Sequence, residues 1–173
     1  MMTLLNTKYP TLVFQTMPLI DPSTIKQIMG KRKKKHERAD FYYKKTNPTL
    51  QFVVDIASGL LRMYGFNHNK DIWYMDCIRY KLDNETEGVD SGLAWHCEND
   101  NYGDLITVLF YLRKDETIRD GGLLYKDKDN KKHLIEVNSG MTIIMDGRVQ
   151  HKPQNPCGSG KRELIIVSFR QIY

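Results

Sequence analysis

The chain has 173 residues, of which 40% are hydrophobic and 27% charged, a balance typical of a globular protein of one domain. Its apolar runs are far shorter than the roughly 20 residues of a membrane-spanning helix. Its first residues lack the basic and apolar segments of a signal peptide, so we expect neither feature. The 26 basic and 21 acidic residues give a net charge of +5, but the first 50 residues alone hold 10 basic and 3 acidic residues. The basic excess therefore belongs to the N-terminal third and does not define a nucleic-acid-binding class.

Two helices are predicted near the N-terminus. Asp21 and Pro22 are residue types favoured at the N-cap and at the first helical position, and the helix is expected to end near Gly30. Pro48 begins a second helix in the same way, and Gly65 can close it. Apolar residues recur along this second helix at spacings of three and four: Val53, Ile56, Ala57, Leu60, Leu61 and Tyr64.

A basic run lies between the two helices. It starts at Lys31, continues to Arg38, and is followed by tyrosines and lysines as far as Lys45. We interpret it first as a solvated connection, with a nucleic-acid contact or a nuclear-targeting signal as alternatives. Tyr42 and Tyr43 would then belong either to a stacking surface or to an edge strand.

Short strands are predicted after Gly65. Segments rich in β-branched and aromatic residues are separated by turn signals such as Gly121-Gly122 and Asp146-Gly147. The predicted strands cover residues 72–82, 105–113, 123–126, 133–137, 141–145 and 163–170. No helical pattern recurs in this part of the chain, which argues against a parallel sheet.

These elements predict a mainly β protein with N-terminal helices. We expect a double-stranded β-helix, or jelly roll, buttressed by the two helices. Residues 1–66 would form a helical support region and residues 67–173 the jelly-roll core of a single domain.

His96 and Glu98 are the first residues that indicate chemistry. On an extended strand, residues two apart face the same side, so the imidazole and the carboxylate would point to one place. His151 ends a later strand-like stretch. Two histidines and one carboxylate form the facial arrangement of non-haem Fe(II) oxygenases, although a His-x-Glu pair alone is common.

Arg162 adds a second feature to this pattern. It lies eleven residues after His151, at the head of an apolar strand. If both strands line one barrel, the guanidinium projects into the cavity that holds the metal and can bind a carboxylate through two charge-assisted hydrogen bonds. A cavity that contains both a metal and a guanidinium suits a dicarboxylate co-substrate.

The chain resembles the Fe(II)- and 2-oxoglutarate-dependent oxygenases, particularly the prolyl-4-hydroxylase-like branch. The resemblance runs from about residue 73 to residue 169, and its motifs are loose individually but specific in order and spacing. The motifs are Cys77-Ile78-Arg79-Tyr80, His96-Cys97-Glu98, residues 107–112 (Thr-Val-Leu-Phe-Tyr-Leu), Asp120-Gly121-Gly122-Leu123, Asn138-Ser139-Gly140-Met141, His151 and Gly160-Lys161-Arg162.

The resemblance implies a role for each of seven residues. The iron ligands would be His96, Glu98 and His151; the distal carboxylate of 2-oxoglutarate would be bound by Arg162 and Tyr111; Tyr80 and Thr107 would line the co-substrate pocket. The implied reaction uses Fe(II), O2 and 2-oxoglutarate, with ascorbate as a further candidate cofactor. It releases succinate and CO2 and inserts oxygen into a substrate C–H bond.

Glu98 departs from the common form of this motif, which has aspartate. Glutamate is one methylene longer but still a hard oxygen ligand, so we expect iron binding to be retained. Asp100 stays an alternative ligand, which would need a turn after His96. A carboxylate also argues against the halogenating relatives, which leave that position open for halide.

Other residues have alternative interpretations. Arg170 is the reserve candidate for the carboxylate clamp, and Tyr111 could be a core aromatic. Cys97 is expected to point away from the two presumed ligands beside it. The remaining histidines are interpreted as surface residues, and these are His36, His68 and His133.

For the substrate, we expect a peptide or protein with a prolyl-type residue first. One alternative is an alkylation-repair-like nucleic-acid demethylase, because Trp95-His96 and Val167-Ser168-Phe169-Arg170 resemble that branch and the basic N-terminal third would suit its substrate. The other alternative is a non-catalytic jelly-roll binding module. Loops at residues 83–93 and 114–120 are expected to set the choice of substrate.

The cysteine content indicates a reducing compartment. The three cysteines, Cys77, Cys97 and Cys157, are an odd number without a Cys-x-x-Cys pair. This argues against a disulfide framework and a thiolate zinc site. We expect a cytoplasmic protein, with a nuclear location as the alternative.

Overall fold

The computed structural model describes residues 2–15, 19–30, 36–42, 48–84, 94–98 and 104–172, with the backbone alone for residues 36–42, Gln15, Lys70, Asp71 and Asn84. Two helices lie in these ranges, α1 (Ser23–Met29) and α2 (Pro48–Met63). The strands are β1 (Met2–Leu4), β2 (Thr11–Gln15), β3 (His36–Tyr42), β4 (His68–Asn84), β5 (Leu105–Lys114), β6 (Ile118–Asp120), β7 (Leu123–Lys126), β8 (Lys132–Ile135), β9 (Met141–Asp146), β10 (His151–Pro153) and β11 (Pro156–Gln171). Within the described ranges, no helix is both long and apolar enough to cross a membrane.

The strands form two antiparallel sheets. The larger sheet has the order β1-β2-β9-β5-β11-β4-β3, with β6 paired to β11, and the smaller sheet has the order β10-β7-β8. The long strands β4 and β11 pair along almost their whole length, from Gln171 opposite His68 to Gly158 opposite Asn84. This arrangement agrees with the mainly β architecture that the sequence predicts.

Alternation of side chains gives the larger sheet two buried faces. Cys77 of β4 and Ile165 of β11 belong to the apolar cluster that includes the helices. Tyr80 of β4 and Leu164 of β11 belong to a second cluster, shared with residues of the smaller sheet such as Leu123. The space between the two sheets is therefore lined by one set of alternating residues, and the site lies there.

Helix α2 covers the outer face of the larger sheet. Val53, Ala57 and Leu61 recur every four residues and have no exposed surface. Burying a leucine-sized side chain contributes roughly 1.5–3 kcal/mol, so this helix face stabilises the sheet on which the site is built. The predicted helical periodicity is thus confirmed.

The helix ends lie close to the predicted ones. Pro22 is the N-cap residue of α1, one position later than the predicted Asp21. Asp21 still accepts a hydrogen bond from the Ser23 backbone N–H at 2.7 Å. Gly30 ends α1 with a φ of 68°, and Gly65 follows α2 with a φ of 77°, a left-handed conformation that glycine adopts without a steric cost.

All six predicted strands are present, but β1, β2, β3, β6 and β10 were not predicted. The first 66 residues therefore contribute strands as well as helices. β1, β6 and β10 have only three residues each, and β3 reads His-Glu-Arg-Ala-Asp-Phe-Tyr, without apolar alternation. Their pairing partners lie elsewhere in the chain, so a local pattern does not reveal them.

The basic run continues into an edge strand. β3 pairs with β4 at the edge of the larger sheet, from His36 opposite Tyr80 to Tyr42 opposite Tyr74. Of the two interpretations of Tyr42, the edge strand is the one that its backbone adopts. Residues 31–35 and 43–45 lie outside the described residues.

Candidate active site

Two backbone segments bring His96, Glu98 and His151 together. His96 forms an isolated antiparallel bridge with His151, in which each N–H donates to the other residue's carbonyl oxygen at 2.9 Å. The Glu98 N–H donates to the carbonyl oxygen of Gly147 at 2.8 Å. A regular strand from His96 to Glu98 is not formed, yet the two side chains still converge because both are tied to the segment that leads into β10.

The three side chains present ligand atoms to one point. Glu98 Oε1 lies 3.4 Å from His96 Nε2 and 3.4 Å from His151 Nε2. All the candidate ligand atoms lie within 4.8 Å of one another. Because donors bind transition metals at about 2.0–2.2 Å, these separations are compatible with one shared ion.

Backbone hydrogen bonds set the orientation of both imidazoles. His96 Nδ1 is 2.9 Å from the carbonyl oxygen of Ala94, and His151 Nδ1 is 2.9 Å from that of Val149. Since a carbonyl oxygen only accepts, each Nδ1 carries the proton and each Nε2 is left to bind a proton or a metal. This outer support is typical of metal-binding histidines.

The carboxylate is held in its charged form. Burial favours the neutral acid, but hydrogen bonds with His151, His96 and Tyr74 outweigh burial and keep the pKa of Glu98 well below its ordinary value. The bond to Glu98 is the main cause that raises the pKa of His96. Burial, followed by the Glu98 charge, raises the pKa of Tyr74. The cluster therefore combines a carboxylate with two imidazoles at a place that favours a cation.

Arg162 lines the same cavity and is 3% exposed. Its guanidinium carbon lies 5.3 Å from the ring centre of Tyr80 and 5.4 Å from that of Tyr111. Burial raises the pKa of Tyr111, and the charge of the neighbouring Arg162 offsets part of this rise. Within the described part of the chain, Arg162 Nε is buried and has no hydrogen-bond partner. A buried N–H of this kind is costly unless an acceptor is supplied, so the position suits an anionic group.

The cavity between the sheets has a volume of about 220 Å³. This is smaller than the pockets usual for drug-sized ligands and suits a compact one. Its lining combines the polar groups with apolar side chains such as Leu109 and Ile166. The lining also includes all seven residues to which the sequence assigned a role, which are Tyr80, His96, Glu98, Thr107, Tyr111, His151 and Arg162.

Two polar residues of the cavity were not predicted, Tyr74 and Asp76. The Tyr74 hydroxyl donates a hydrogen bond to Glu98 Oε2. Asp76 is 2% exposed on the same strand. Both are separated from Tyr80 by an even number of residues, so the two-residue period of β4 is the signal that would have placed them on the cavity face.

The alternative residues lie elsewhere. Arg170 stacks on Trp73, with its guanidinium carbon 3.9 Å from the ring centre, and does not line the cavity. Cys97 is exposed and its Sγ lies 3.4 Å from the Arg148 carbonyl oxygen, which agrees with the predicted orientation away from the ligands. Asp100 lies outside the described residues.

Two other histidines have defined partners. His68 is not a surface residue as predicted, because it is partly buried and contacts Ser58 Oγ at 2.8 Å and the Phe169 ring. His133 is 43% exposed and pairs with Asp127 at 2.7 Å. The side chain of His36 lies outside the described part.

Asp146 fixes the turn between β9 and His151. It is 2% exposed and accepts hydrogen bonds from the Arg148 backbone N–H at 3.0 Å, Arg148 Nε at 2.9 Å and Gln171 Nε2 at 3.0 Å. Burial opposes its charge, but the bonds from Arg148 and Gln171 lower its pKa. The next residue, Gly147, accepts the Glu98 N–H. Asp146 thus stabilises the loop that positions two of the three candidate ligands.

Replacing Asp146 with asparagine is expected to lower the free energy of unfolding by about 2 kcal/mol at neutral pH, because it weakens a set of charge-assisted bonds. Because the pKa of Asp146 is lower in the folded state than in the unfolded state, its charge stabilises the folded protein when the pH is above the unfolded-state pKa of about 3.9. This stabilisation is lost as the pH falls through the folded-state pKa. The difference between the variant and the wild type should therefore shrink below about pH 4. Urea unfolding at several pH values measures this, with Asp129→Asn as an exposed control. A difference that persists unchanged at pH 3 would contradict the assignment.

Comparison with solved structures identifies the fold. The chain is similar to a 2-oxoglutarate-Fe(II) oxygenase from Burkholderia pseudomallei, with a TM-score of 0.61 over 92% of this chain and 82% of that one, at 11% identity. A prolyl-4-hydroxylase from Pseudomonas putida gives a TM-score of 0.59 over 93% of each chain, at 12% identity. HygX from Streptomyces hygroscopicus, solved with nickel and 2-oxoglutarate bound, gives 0.60 over 94% and 83%, at 11% identity. No protein-family model and no curated protein matches the chain.

The chain therefore has the jelly-roll fold of the Fe(II)- and 2-oxoglutarate-dependent oxygenases, and the resemblance is confirmed at the level of the fold. Among these structures, the similarity to the Pseudomonas prolyl-4-hydroxylase spans nearly the whole of both chains. The residues present fit the two groups that this fold implies. Two imidazoles whose Nε2 atoms face one carboxylate suit Fe(II), and the Nε of Arg162, which has no hydrogen-bond partner among the described residues, suits a carboxylate.

Proposed function

We propose that the protein is an Fe(II)- and 2-oxoglutarate-dependent dioxygenase that hydroxylates a C–H bond of its substrate. One observation carries this proposal: one cavity holds three converging candidate metal-ligand atoms and a buried arginine whose Nε has no hydrogen-bond partner among the described residues. When bound, Fe(II) and 2-oxoglutarate would supply O2 activation coupled to oxidative decarboxylation, with succinate and CO2 as products.

The residues of the chain bind and orient these groups. His96, Glu98 and His151 would hold the metal on one face and leave its other positions to co-substrate and O2. Arg162 and Tyr111 would bind the distal carboxylate of 2-oxoglutarate by charge-assisted and neutral hydrogen bonds. The cavity positions of Tyr80 and Thr107 support their proposed role in lining the co-substrate pocket.

The proposal is tested by succinate release from 2-oxoglutarate in the presence of Fe(II), with and without ascorbate. We expect slow release without a substrate and faster release with one. Metal and 2-oxoglutarate binding without any turnover would instead favour the non-catalytic binding module. Absence of both binding and turnover would overturn the proposal.

For the substrate, we propose a peptidyl residue, with proline first. The support is the similarity to the Pseudomonas prolyl-4-hydroxylase over nearly the full length of both chains. Incubation with proline-rich peptides should produce a mass increase of one oxygen atom. A peptide set that stays unmodified while an oligonucleotide is modified would contradict this choice.

A nucleic-acid substrate is the second candidate, and one observation favours it. The Lys126 and Lys132 ammonium groups lie 5.3 and 5.8 Å from the ring centre of Trp95, which directly precedes His96. Aromatic rings among lysines are typical of surfaces that stack bases and bind phosphates. This candidate would be supported if the protein demethylates a methylated oligonucleotide and the Lys126→Glu variant does not. Oligonucleotide binding that does not weaken with added salt would argue against it.

We also propose a cytoplasmic location. All three cysteines are free, one of them buried, as expected in a reducing compartment. Fractionation of cells that express the tagged protein tests the proposal. Recovery in the nucleus would instead favour a targeting role for the basic run that starts at Lys31.

A further inference from the structure

Three hydroxyl side chains form a row across the larger sheet beside Glu98. In the strand register, Ser168 of β11 lies opposite Tyr74 of β4 on one side and opposite Thr107 of β5 on the other. Ser168 and Thr107 are 0% and 1% exposed. Tyr74, which lines the cavity, ends the row at Glu98. The row therefore connects the centre of the sheet to one candidate metal ligand.

Two hydrogen bonds lie in this row. The Tyr74 hydroxyl donates to Glu98 Oε2, because a carboxylate oxygen accepts. The Thr107 and Ser168 hydroxyl oxygens are 2.9 Å apart and form a second hydrogen bond, in which either can donate. Ser168 lies opposite Tyr74 in the strand register and so places this buried pair next to the tyrosine.

The two oxygens of Glu98 thereby have different partners. Oε2 accepts the bond from Tyr74, whereas Oε1 faces the Nε2 atoms of His96 and His151 at 3.4 Å each. A glutamate has one more rotatable bond than an aspartate, and fixing such a side chain costs conformational entropy. A bond to one oxygen reduces the remaining freedom and leaves the other oxygen directed at the metal position.

We propose that Tyr74 is a positioning residue that holds Glu98 as a one-oxygen metal ligand, supported by Ser168 and Thr107. This inference rests on the proposed metal site. It assigns to Tyr74 a role specific to the longer carboxylate of this chain, because the hydroxyl compensates for the additional flexibility of glutamate. Tyr74 acts through Glu98 and is not itself assigned a contact with substrate.

The first experiment compares metal affinity in the purified wild type and in Tyr74→Phe. Removing one outer partner of a ligand typically weakens metal binding about 10- to 100-fold, and we expect about 10-fold for Co(II), used as a spectroscopic probe. The Co(II) absorption spectrum should also change, because the second carboxylate oxygen is free to bind. Tyr125→Phe is the control: Tyr125 is a buried tyrosine in the apolar cluster that contains the cavity residues Tyr80 and Tyr111, but it does not itself line the cavity. Its Co(II) affinity and spectrum should equal those of the wild type.

The second experiment separates positioning from a general structural effect. In a Glu98→Asp background, the shorter carboxylate should lose the bond to Tyr74, so adding Tyr74→Phe should change Co(II) affinity by less than about 2-fold. An equal loss in both backgrounds would overturn the positioning role in favour of a structural one. An unchanged affinity and spectrum in Tyr74→Phe would also overturn it.

The outcomes distinguish this inference from the proposed function. If wild-type Co(II) binding depends on His151 but not on Tyr74, the metal site stands and the positioning role fails. If the wild type binds no Co(II), Ni(II) or Fe(II), both fail together.

Discussion

Replacing His151 with alanine is expected to abolish tight metal binding and to reduce succinate release to background. His151 supplies one of the three candidate ligands found among the described residues, and its Nε2 faces Glu98 Oε1 at 3.4 Å. Changes in the outer partners of a ligand already cost about 10- to 100-fold in affinity, so the loss of a ligand should exceed about 100-fold. Calorimetric titration with Co(II) or Fe(II), together with the succinate assay, measures both effects.

His133→Ala is the matched control for this variant. His133 is 43% exposed, pairs with Asp127 and stacks on Tyr125, outside the cavity. It should keep wild-type metal affinity and turnover. Because His151 is buried, circular dichroism must show that His151→Ala is folded. Undiminished turnover in the folded variant would rule out the metal assignment.

Much of the fold follows from periodicity in the sequence. The four-residue recurrence of Val53, Ala57 and Leu61 predicts the helix face that packs on the sheet. The β-branched and aromatic runs predict the central strands, because such residues fit a pleated surface buried on both sides. What local patterns do not reveal is pairing. The five residues of β2 pair with residues of β9 that lie about 130 positions later in the chain. Nothing in the local sequence of β2 indicates which strand it pairs with.

The site could be predicted where the type of side chain and its spacing in the sequence match those of the resembling oxygenases. His96, Glu98, His151 and Arg162 do so, and the structure brings all four to one cavity. Their local conformation was not predictable, since the bend at Glu98 depends on a bond to Gly147, a residue far along the chain. Tyr74 was missed for a similar reason. Its position on β4 predicts that its side chain lies on the cavity face of the sheet, but its hydrogen bond to Glu98 depends on tertiary structure.

Replacing Arg162 with methionine is expected to raise the concentration of 2-oxoglutarate required for half-maximal turnover by at least about 30-fold. Truncating one partner of a buried, hydrogen-bonded charge pair typically costs about 2–5 kcal/mol of binding free energy. The structure points to Arg162 because its side chain is buried in the cavity and its Nε has no partner within the described residues. Metal affinity should change little, which distinguishes this variant from His151→Ala.

Arg170→Met is the control within the same strand. Arg170 lies eight residues further along β11 and stacks on Trp73 outside the cavity, so its loss should leave the 2-oxoglutarate requirement unchanged. A rise in the requirement for Arg170→Met, with no effect of Arg162→Met, would transfer the carboxylate clamp to Arg170. Enzyme kinetics over a range of 2-oxoglutarate concentrations at saturating Fe(II) measures both.

The Arg162→Met variant should also be more stable than the wild type when no ligand is bound. A buried guanidinium with an unpaired N–H destabilises the free protein, and replacing buried charge with an apolar side chain of similar size is often neutral or stabilising by about 1–4 kcal/mol. The guanidinium charge also contributes, after burial, to a lowered pKa of Lys114, so a second cation lies within its field. In the wild type, 2-oxoglutarate at 100 times its dissociation constant should add about 2.7 kcal/mol, and in Arg162→Met at the same concentration it should add far less. Thermal unfolding with and without 2-oxoglutarate therefore tests whether Arg162 serves ligand binding at the expense of stability. If Arg162→Met is less stable than the wild type both with and without 2-oxoglutarate, Arg162 supports the fold instead.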